Sequence, residues 1–473
     1  MKVLYCTSES IPFIATGGLG DVSGSLPQAL RQRLIGCRVV MPLYEEIPHN
    51  LRSNMKFITS ISVPVAWRRQ YCGIFEAKYD GVIYYFIDNQ YYFKRNGIYG
   101  HFDDAERFAF FSRAILEMLP YLDFQPDIIH CNDWQTALVP IYYQLFYVQN
   151  EYYRNMKTLF TIHNIQYQGK YGTEILADVL GVPNDAFSLL EYDDCINLLK
   201  GAIECADKVS TVSPTYAHEI LDPWFSHNLD GILKERSWKL SGILNGIDTK
   251  HYNPETDPEI YAPYSAENPA DKAVNKQKLQ ERLGLKQNAD IPLIGMVTRM
   301  VSHKGLDLVR DALDHIMCNS SIQFVILGSG DYEYEAFFLE LQDRYNGRLV
   351  ACHGFVPELS HKIYAGSDMF LMPSKSEPCG LSQMIALRYG SIPIVRETGG
   401  LKDSIQDSGN GTGNGFVFQN YHSEDMVHAV FRALEGYANK EGWAILVDRA
   451  LKCDNSWGRS ANEYIRLYKQ MLK

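Results

Sequence analysis

Two cations five residues apart define a first candidate site at residues 298–305, which read Thr-Arg-Met-Val-Ser-His-Lys-Gly. An apolar run precedes Arg299 and an amphipathic stretch follows Gly305, which predicts a strand, a loop and a helix. Arginine provides a rigid fork of donors, Lys304 provides a point charge, and a helix start adds free N–H groups. This combination suits a diphosphate. The alternative is a solvated loop that carries two cations.

A glutamate marks a second segment at residues 373–383, Pro-Ser-Lys-Ser-Glu-Pro-Cys-Gly-Leu-Ser-Gln. We expect the Glu377 carboxylate to be exposed in a Pro/Gly loop, where it can bind hydroxyl groups beside a helix start that meets phosphate. The alternative is a capped helix start with a solvated glutamate. Residues 397–403, Glu-Thr-Gly-Gly-Leu-Lys-Asp, form another Gly-Gly turn before a predicted helix, and a plain turn is the alternative there.

A glycine-rich loop follows the first predicted strand at residues 16–22, Thr-Gly-Gly-Leu-Gly-Asp-Val, and opens a helix through Leu30. Glycines allow a ligand to approach the backbone, and the helix start offers N–H groups to an anion. The loop is not a dinucleotide fingerprint, because Gly18 and Gly20 are spaced correctly but Ser23 occupies the third glycine position. A dinucleotide dehydrogenase is therefore disfavoured, and a tight strand-to-helix turn remains the alternative.

Two polar clusters follow predicted strands of the first half. They are residues 130–135, His-Cys-Asn-Asp-Trp-Gln, and residues 161–169, Thr-Ile-His-Asn-Ile-Gln-Tyr-Gln-Gly. The carboxyl ends of parallel strands are where open α/β sheets meet their ligands. A single histidine in such a place is more often a hydrogen-bonded structural residue, but two clusters on one sheet favour a site.

The composition restricts the classes of partner. The 473 residues include 45 Lys+Arg and 56 Asp+Glu, a net charge of −11, which argues against nonspecific nucleic-acid binding. The ten cysteines form no CxxC pair, so we expect reduced thiols in a cytosolic protein and no zinc site. No stretch is long and apolar enough for a membrane span. The adjacent acids 103–104 and 193–194 are interpreted as solvated turns rather than metal ligands.

The remaining chain alternates short apolar runs with amphipathic stretches, which predicts an α/β fold with parallel sheets covered on both faces. One series of strands is predicted at residues 2–6, 37–41, 127–131, 158–163 and 208–213, and a second at 293–299, 323–328, 350–354, 369–373 and 392–396. Between the two series, residues 253–288 are rich in Pro, Asp, Asn and Lys and carry no strand signal. We therefore predict two domains of similar size, with a boundary near residue 245 and a cleft as the default site.

Together and in this order, the segments resemble the bacterial glycogen synthase and plant starch synthase family. The resemblance runs from residue 1 to about Tyr468 and includes residues 212–216 (Val-Ser-Pro-Thr-Tyr), 245–248 (Asn-Gly-Ile-Asp) and Ser456-Trp457. It implies transfer of glucose from ADP-glucose to the non-reducing end of an α-1,4-glucan, with retention of configuration. It also implies a GT-B fold with Rossmann-like domains at 1–244 and 245–455 facing across a deep cleft, and a C-terminal helix at 456–473 that returns to the first domain.

The resemblance also assigns roles to individual residues. Arg299 and Lys304 match the cations at the donor phosphates, Glu377 the carboxylate beside the donor glucose, and His163 the histidine near the reacting glucose. Further donor-side residues are Gly17, Gly18, Asp21, Cys379, Gly380, Leu381, Thr398, Gly399 and Gly400. Acceptor-side residues are Asp133, Trp134, Asn164, Tyr167 and Gln168. Because the two cations can neutralise the departing diphosphate, neither a metal nor another cofactor is expected, and the expected partners are the donor and the glucan.

Three positions depart from the family pattern. Ala15 stands where the family carries a lysine that reaches the distal phosphate, Asn132 where relatives often carry histidine, and Ile385 where the broader GT-B pattern has a second glutamate. Losing one charge-assisted hydrogen bond costs roughly 1.5–3 kcal/mol. Ala15 therefore leaves three hypotheses open: an ADP-glucose synthase, a synthase that uses UDP-glucose, and a catalytically weakened paralogue that binds glucan. The sequence fits a bacterial cytoplasmic enzyme, and a mature plastid form would look alike.

Overall fold

The computed structural model describes residues 1–354 and 356–473. The chain divides into two units, the first formed by Met1–Asn245 and Trp457–Lys473 and the second by Gly246–Ser456. The sequence predicts a domain boundary near residue 245.

The first unit is built on a nine-stranded sheet in the order β12-β11-β7-β6-β1-β2-β5-β4-β3. Strands β12 to β5 in this order run parallel, whereas β4 is antiparallel to both β5 and β3. A separate small sheet has the order β8-β10-β9. The strands are β1 Lys2–Cys6, β2 Gly36–Pro42, β3 Lys56–Val65, β4 Arg68–Tyr79, β5 Val82–Asp88, β6 Ile128–Asn132, β7 Lys157–Ile162, β8 Lys170–Tyr171, β9 Glu191–Tyr192, β10 Cys195–Asn197, β11 Lys208–Thr211 and β12 Leu240–Gly242.

The five predicted strands of this unit are present, but the antiparallel part of the sheet was not predicted. Its strands β3 and β4 are long and only partly buried, with polar residues on both faces. They therefore lack the continuous apolar run that marks a strand covered on both sides. The helices of this part of the chain are α1 Gly18–Gln32, α2 His49–Arg52, α3 Gln90–Phe93, α4 Asp104–Met118, α5 Leu138–Tyr142, α6 Ile175–Asp178, α7 Phe187–Leu190, α8 Leu198–Cys205, α9 Pro214–Glu219 and α10 Asp230–Glu235.

The second unit contains a six-stranded sheet in the order β15-β14-β13-β16-β17-β18, parallel throughout. Its strands are β13 Leu293–Val297, β14 Gln323–Gly328, β15 Leu349–His353, β16 Met369–Met372, β17 Ile392–Arg396 and β18 Phe416–Phe418. Its helices are α11 Lys272–Arg282, α12 Leu306–Cys318, α13 Tyr332–Arg344, α14 Pro357–Gly366, α15 Ser382–Arg388, α16 Gly399–Ser404, α17 Ser423–Ala438 and α18 Lys440–Leu451.

Helix α11 lies inside the polar segment that was predicted only as a boundary. Its residue Lys272 is oriented inward, where Nζ donates to the carbonyl oxygens of Ala365, Ser367 and Tyr389 at 2.8, 3.0 and 2.9 Å. These carbonyls end helices α14 and α15, so one lysine satisfies orphan acceptors of two helix termini. Burial lowers the Lys272 pKa to about 7. Lysines in this segment therefore contribute to packing, although a polar composition alone suggests that they are solvated.

The last helix, α19 (Trp457–Met471), belongs to the first unit. Its Tyr468 hydroxyl lies 2.8 Å from Nδ1 of His130, whose Nε2 lies 2.6 Å from the hydroxyl oxygen of Thr161. His130 is fully buried, and burial holds its pKa well below its usual range. It is therefore a structural histidine between strand β6 and the C-terminal helix, although its motif raised it as a site candidate.

Each large sheet has one point where the strand order reverses. In the first unit this is β1, between β2 and β6, and in the second it is the pair β13 and β16. Connections leave such neighbouring strands toward opposite faces of the sheet and open a crevice at their carboxyl ends. The residues singled out from the sequence follow these strands: 16–22 and 130–135 in the first unit, and 298–305 and 373–383 in the second.

Candidate active site

In the second unit, Lys304 and Glu377 form an ion pair at the strand-order reversal. Lys304 Nζ donates to Glu377 Oε1 at 2.9 Å and to Oε2 at 2.7 Å, and the Ser374 hydroxyl donates to Oε2 at 2.9 Å. The expectation that Glu377 is exposed was wrong, since only 6% of it is accessible. A carboxylate with this burial needs a cation and a hydroxyl donor, and the loops after β13 and β16 supply them.

Glycines at residues 399 and 400 allow the loop that carries Glu377 to lie against the start of α16. A Cβ on Gly399 would lie 1.9 Å from the Glu377 carbonyl oxygen, and one on Gly400 would lie 2.0 Å from the Cys379 carbonyl oxygen. Gly399 also has a φ of +43°, and the Gly400 N–H donates to the Glu377 carbonyl at 3.1 Å. The Gly-Gly turn is therefore required for close packing behind the glutamate. The alternative of a plain turn does not account for these contacts.

The cation at residue 299 and the histidine between the two cations differ in environment. Arg299 is exposed in the loop between β13 and Lys304. His303 is half-buried, and burial together with the neighbouring Lys304 charge lowers its pKa to about 4. Its backbone carbonyl accepts from the Lys375 N–H at 2.9 Å. His303 is thus neutral near pH 7, and its backbone ties the two loops together.

The remaining donor-side residues lie around the starts of helices α15 and α16. Cys379 and Thr398 are buried, whereas Leu381 and Gly380 are half-buried. The Gln383 amide donates to the carbonyls of Cys379 and Gly380 at 3.1 and 2.9 Å, which fixes the backbone of the loop. The structure therefore brings all of the predicted second-unit residues into one set of loops after β13, β16 and β17.

In the first unit, the glycine-rich loop leads into α1, which begins at Gly18. Residues Ala15, Thr16, Gly17 and Gly18 are exposed, and a Cβ on either glycine would meet no described atom within 4 Å. Asp21 is half-buried in the first turn of the helix. The loop thus presents its backbone to open space. This is typical of a ligand-binding turn and not of a turn whose glycines are needed only for close packing.

A second first-unit cluster links Asp133 to the loop of His163. The His163 N–H donates to Asp133 Oδ1 at 2.7 Å, and the Asn164 N–H also donates to this carboxylate. Asp133 has φ 55° and ψ 177°, a region that residues other than glycine rarely occupy. Burial raises the Asp133 pKa to about 7. Asp133 therefore holds the His163 loop through backbone N–H groups, at the cost of local strain.

The ring of His163 is held by Asn132. Its Nε2 lies 2.9 Å from Asn132 Oδ1, which also accepts from the Tyr5 hydroxyl at 3.0 Å. The Asn132 amide nitrogen donates to the Cys6 carbonyl at 2.9 Å, so the oxygen must face His163. Burial lowers the His163 pKa to about 3. The neutral ring therefore carries its proton on Nε2 and leaves Nδ1 as an acceptor.

An open cavity of about 480 Å³ adjoins this cluster. Three of the predicted acceptor-side residues line it, namely Trp134, Tyr167 and Gln168, together with Gln166, Gly169, Lys170, His227 and Asn228. The other two predicted acceptor-side residues, Asp133 and Asn164, do not line the cavity and belong to the hydrogen-bonded cluster of Asp133 with the His163 loop. Gln168 is buried, and its amide donates to the His227 carbonyl at 3.0 Å.

His227 and Asn228 were not found from the sequence. Both have left-handed backbones, with φ of 49° and 74°. Such conformations in residues other than glycine are uncommon and cluster at functional sites. A His-Asn pair in a loop gives no motif, and only its fold-dependent proximity to Trp134 identifies it.

The acidic pair at residues 103–104 was interpreted as a solvated turn, and this was wrong. The Asp103 carboxylate accepts hydrogen bonds from the Arg95 guanidinium at 2.5 and 2.8 Å. The Asp104 carboxylate accepts one at 2.5 Å from the guanidinium of Arg107, which is fully buried. The pair at 193–194 is an exposed turn, as predicted. Among residues 1–354 and 356–473, no group of three or more His, Cys, Asp or Glu side chains is arranged to hold a metal ion.

Comparison with known proteins identifies the relatives of this chain. Residues 2–235 match the family described as starch synthase catalytic domain, and residues 277–444 match glycosyl transferases group 1. The chain is 50% identical over 477 residues to the glycogen synthase of Geobacillus thermodenitrificans, covering 100% of this chain and 98% of that protein. It is 49% identical over 476 residues to the glycogen synthase of Clostridium botulinum (strain Alaska E43), covering 100% and 99%.

Solved structures agree with these relatives. The catalytic domain of starch synthase IV from Arabidopsis thaliana, bound to ADP and acarbose, matches with a TM-score of 0.92 at 36% identity, covering 99% of each chain. A sucrose-phosphate synthase from Thermosynechococcus elongatus matches with a TM-score of 0.61 at 17% identity, covering 99% and 98%, and shares the fold. Within the described chain, no helix is both long and apolar enough to cross a membrane.

These findings confirm the predicted family, the GT-B fold of two Rossmann-like domains and the enzyme class. The family matches lie on both units, and the full-length relatives are glycogen synthases. The chain therefore belongs to the bacterial glycogen synthase and plant starch synthase family, and it is a hexosyltransferase that lengthens a glucan.

Proposed function

We propose that the donor is ADP-glucose and that the second unit holds it through Arg299, Lys304 and the loops at 377–381 and 398–400. The observation that carries this proposal is the buried Glu377 carboxylate paired with Lys304, whose loop also carries the exposed Arg299. Two cations and one carboxylate match a ligand that is anionic at one end and carries hydroxyl groups at the other. The related starch synthase IV domain, bound to ADP, supports the adenine nucleotide.

The chemistry follows from where charge develops. As the bond between glucose and diphosphate breaks, negative charge grows on the bridging oxygen and positive charge grows on the sugar. Lys304 and Arg299 stabilise the first because they are positioned before the reaction. Glu377 is held by Ser374 and can remain beside the sugar when the phosphate takes up Lys304. We propose that the acceptor hydroxyl attacks the same face from which the diphosphate departs, which retains configuration.

We further propose that the first unit binds the α-1,4-glucan acceptor in the cavity lined by Trp134, Tyr167 and Gln168. A glucan is uncharged, and aromatic rings with nearby amides suit its apolar faces and its hydroxyls. The half-exposed Tyr167 ring is accessible for this contact. The relative bound to acarbose supports an oligosaccharide ligand for this fold.

We propose that the reaction needs no metal or other cofactor, because the positive charges of Lys304 and Arg299 neutralise the leaving group. We also propose that the enzyme works in the bacterial cytoplasm. In the described structure, the ten cysteines are free thiols, a state that a reducing compartment maintains.

Ala15 favours a second candidate, a paralogue that binds glucan but turns over slowly or not at all. The exposed position of residue 15 beside Thr16 is suited to a lysine that reaches a phosphate, and alanine cannot do so. A synthase that uses UDP-glucose is the third candidate, and parallel assays with ADP-glucose and UDP-glucose distinguish it.

The test is release of nucleoside diphosphate and growth of glucan with glycogen as primer. ADP-glucose and UDP-glucose are supplied in parallel, with and without EDTA. Lys304→Ala is the inactive control, and Lys452→Ala, an exposed lysine of the same unit, is the matched control. Turnover with ADP-glucose that EDTA leaves unchanged and Lys304→Ala abolishes is the expected result. Glucan binding without turnover on either donor would establish the paralogue instead.

A further inference from the structure

Glu9 is a buried carboxylate that neither the family motifs nor the proposed function uses. It is 3% exposed and lies just after β1, at the strand-order reversal of the first sheet. Its Oε2 accepts from the Thr16 N–H at 2.5 Å and from the Thr16 hydroxyl at 2.8 Å. One carboxylate oxygen therefore takes both donors of a single residue at the entrance of the glycine-rich loop.

The frame behind Glu9 is rigid. The Thr7 hydroxyl donates to the Glu9 carbonyl at 2.8 Å and lies 2.9 Å from the hydroxyl of Ser23 on α1. The loop in front of it is open, since Ala15 to Gly18 are all exposed. The Thr16 contact thus joins a fixed base to a segment that has open space on its other side.

We propose that Glu9 is a positioning residue that holds the Thr16–Gly17–Gly18 backbone in the shape that meets the sugar-nucleotide donor. This rests on the proposed donor function. With alanine at residue 15, the loop contributes backbone N–H groups rather than a side-chain cation, so its binding strength depends on backbone shape. A glycine pair has no intrinsic preference for that shape, and Glu9 supplies it through Thr16.

The position of Glu9 makes this anchor sensitive to pH. Burial raises the Glu9 pKa from its ordinary value near 4.5 to about 7, against the lowering effect of the Thr16 hydrogen bonds. The titratable groups that face it are Asp21 on α1, Asp133 after β6, Tyr44 after β2 and Tyr99 before α4. The charged carboxylate is the stronger acceptor, so the anchor is present above pH 7 and weakens as the pH falls below it.

The direction of the stability effect is opposite. Because the folded-state pKa is raised, the unfolded chain releases this proton near pH 4.5 while the folded chain keeps it until about pH 7. Folding stability from this group is therefore greatest at low pH and falls as the pH rises from about 4.5 to about 7. A carboxylate kept at this cost is expected to contribute to function rather than to folding.

The test uses the full chain with Glu9→Gln, which keeps the shape but cannot ionise, and Thr16→Val, which removes only the hydroxyl donor. Glu106→Gln, a carboxylate on α4 that pairs with Arg68, is the matched control. We expect the KM for ADP-glucose to rise about tenfold at pH 8 in Glu9→Gln, with the KM for glycogen unchanged. In the wild type this KM should rise as the pH falls below 7, and in Glu9→Gln it should be independent of pH.

Hydrogen–deuterium exchange of peptides that span residues 13–20 reads the loop without any donor. Faster exchange in both variants at pH 8, without a fall in Tm, supports the anchor even if ADP-glucose is not the substrate. Unchanged exchange and an unchanged KM in both variants would overturn the proposal. A lower Tm with equal loss of kcat at every pH would also overturn it, because that pattern marks a purely structural residue. Should Glu9→Gln fail to fold, Thr16→Val tests the same contact from the loop side.

Discussion

The two strand-order reversals carry sites of opposite electrostatic character. In the second unit, the Glu377 carboxylate is paired with the Lys304 ammonium, and Arg299 is exposed in the loop that leads to Lys304. In the first unit, the buried carboxylates Glu9 and Asp133 accept from backbone N–H groups of neighbouring loops instead. Similar positions in two similar sheets thus use their acids in different ways.

Under the proposed function, this difference corresponds to the two ends of the reaction. A diphosphate gains negative charge as it departs, so its site needs cations that are already in place. A glucan stays neutral, so its site needs shape and hydrogen bonds. A fixed neutral ring such as His163 can serve there without drawing charge into a buried region. The carboxylates of the first unit are accordingly used to fix loops.

The largest expected effect comes from removing the charge of the second unit. Lys304→Ala is expected to lower kcat roughly 10²–10³-fold, the usual cost of losing one positioned donor to a transition state. It also leaves the Glu377 carboxylate buried without its cation, so Tm should fall as well. The measurements are steady-state ADP release and thermal unfolding.

The double variant Lys304→Ala with Glu377→Gln separates these two consequences. It should recover most of the lost Tm, because no buried charge remains unpaired, while kcat stays low. If Lys304→Ala alone kept more than a third of the wild-type kcat, the second unit would not act through its charge and the comparison would fail.

The second prediction concerns a positive charge added to the glycine-rich loop of the first unit, which offers backbone donors. Ala15→Lys should raise kcat/KM for ADP-glucose about 10–100-fold, because a charge-assisted bond to the phosphate is worth roughly 1.5–3 kcal/mol. The position is exposed, so a lysine side chain fits without repacking. Turnover is measured against Ala15→Met, which has a long side chain without charge. An equal or lower rate for the lysine variant would show that the loop works through its backbone alone.

Much of the fold was accessible from the sequence because buried parallel strands leave continuous apolar runs. All ten predicted strands are present, and the segments that follow them hold the site residues. The antiparallel strands β3 and β4 were missed because half-buried strands lack that signal. Helix α11 was missed because its Lys272 buries its ammonium group against two helix ends, which a polar composition does not reveal.

Candidate site residues could be assigned from the sequence, but their contacts could not. Glu377 was expected in solvent, since a Pro/Gly loop gives no sign that Lys304 and Ser374 will enclose it. Asp133 was assigned to the acceptor side, and its hydrogen bonds to the backbone of the His163 loop were not foreseen. Glu9 carried no motif at all. Each of these depends on contacts between segments distant in sequence, and spacing along the chain does not encode them.

The third prediction concerns the neutral ring of the first unit. Asn132→Leu removes the acceptor of His163 Nε2–H and leaves that donor unpaired in a buried site, a loss of roughly 1–3 kcal/mol. We expect kcat to fall about tenfold. The ¹⁵N shifts of the imidazole should report one tautomer in the wild type and a mixture in the variant. Asn132→His, the residue expected from the family, should keep most of the activity.

The smallest effect is expected one contact further from the ring. The Tyr5 hydroxyl donates to the same Asn132 oxygen that receives His163, and Tyr5→Phe removes this bond while keeping the buried aromatic volume. Asn132 remains oriented by the Cys6 carbonyl, so the tautomer of His163 should not change. Unfolding free energy should fall by about 1 kcal/mol and kcat by less than threefold. A loss in kcat as large as that of Asn132→Leu would mean that the hydroxyl itself orients the ring, and that the first-unit site extends to strand β1.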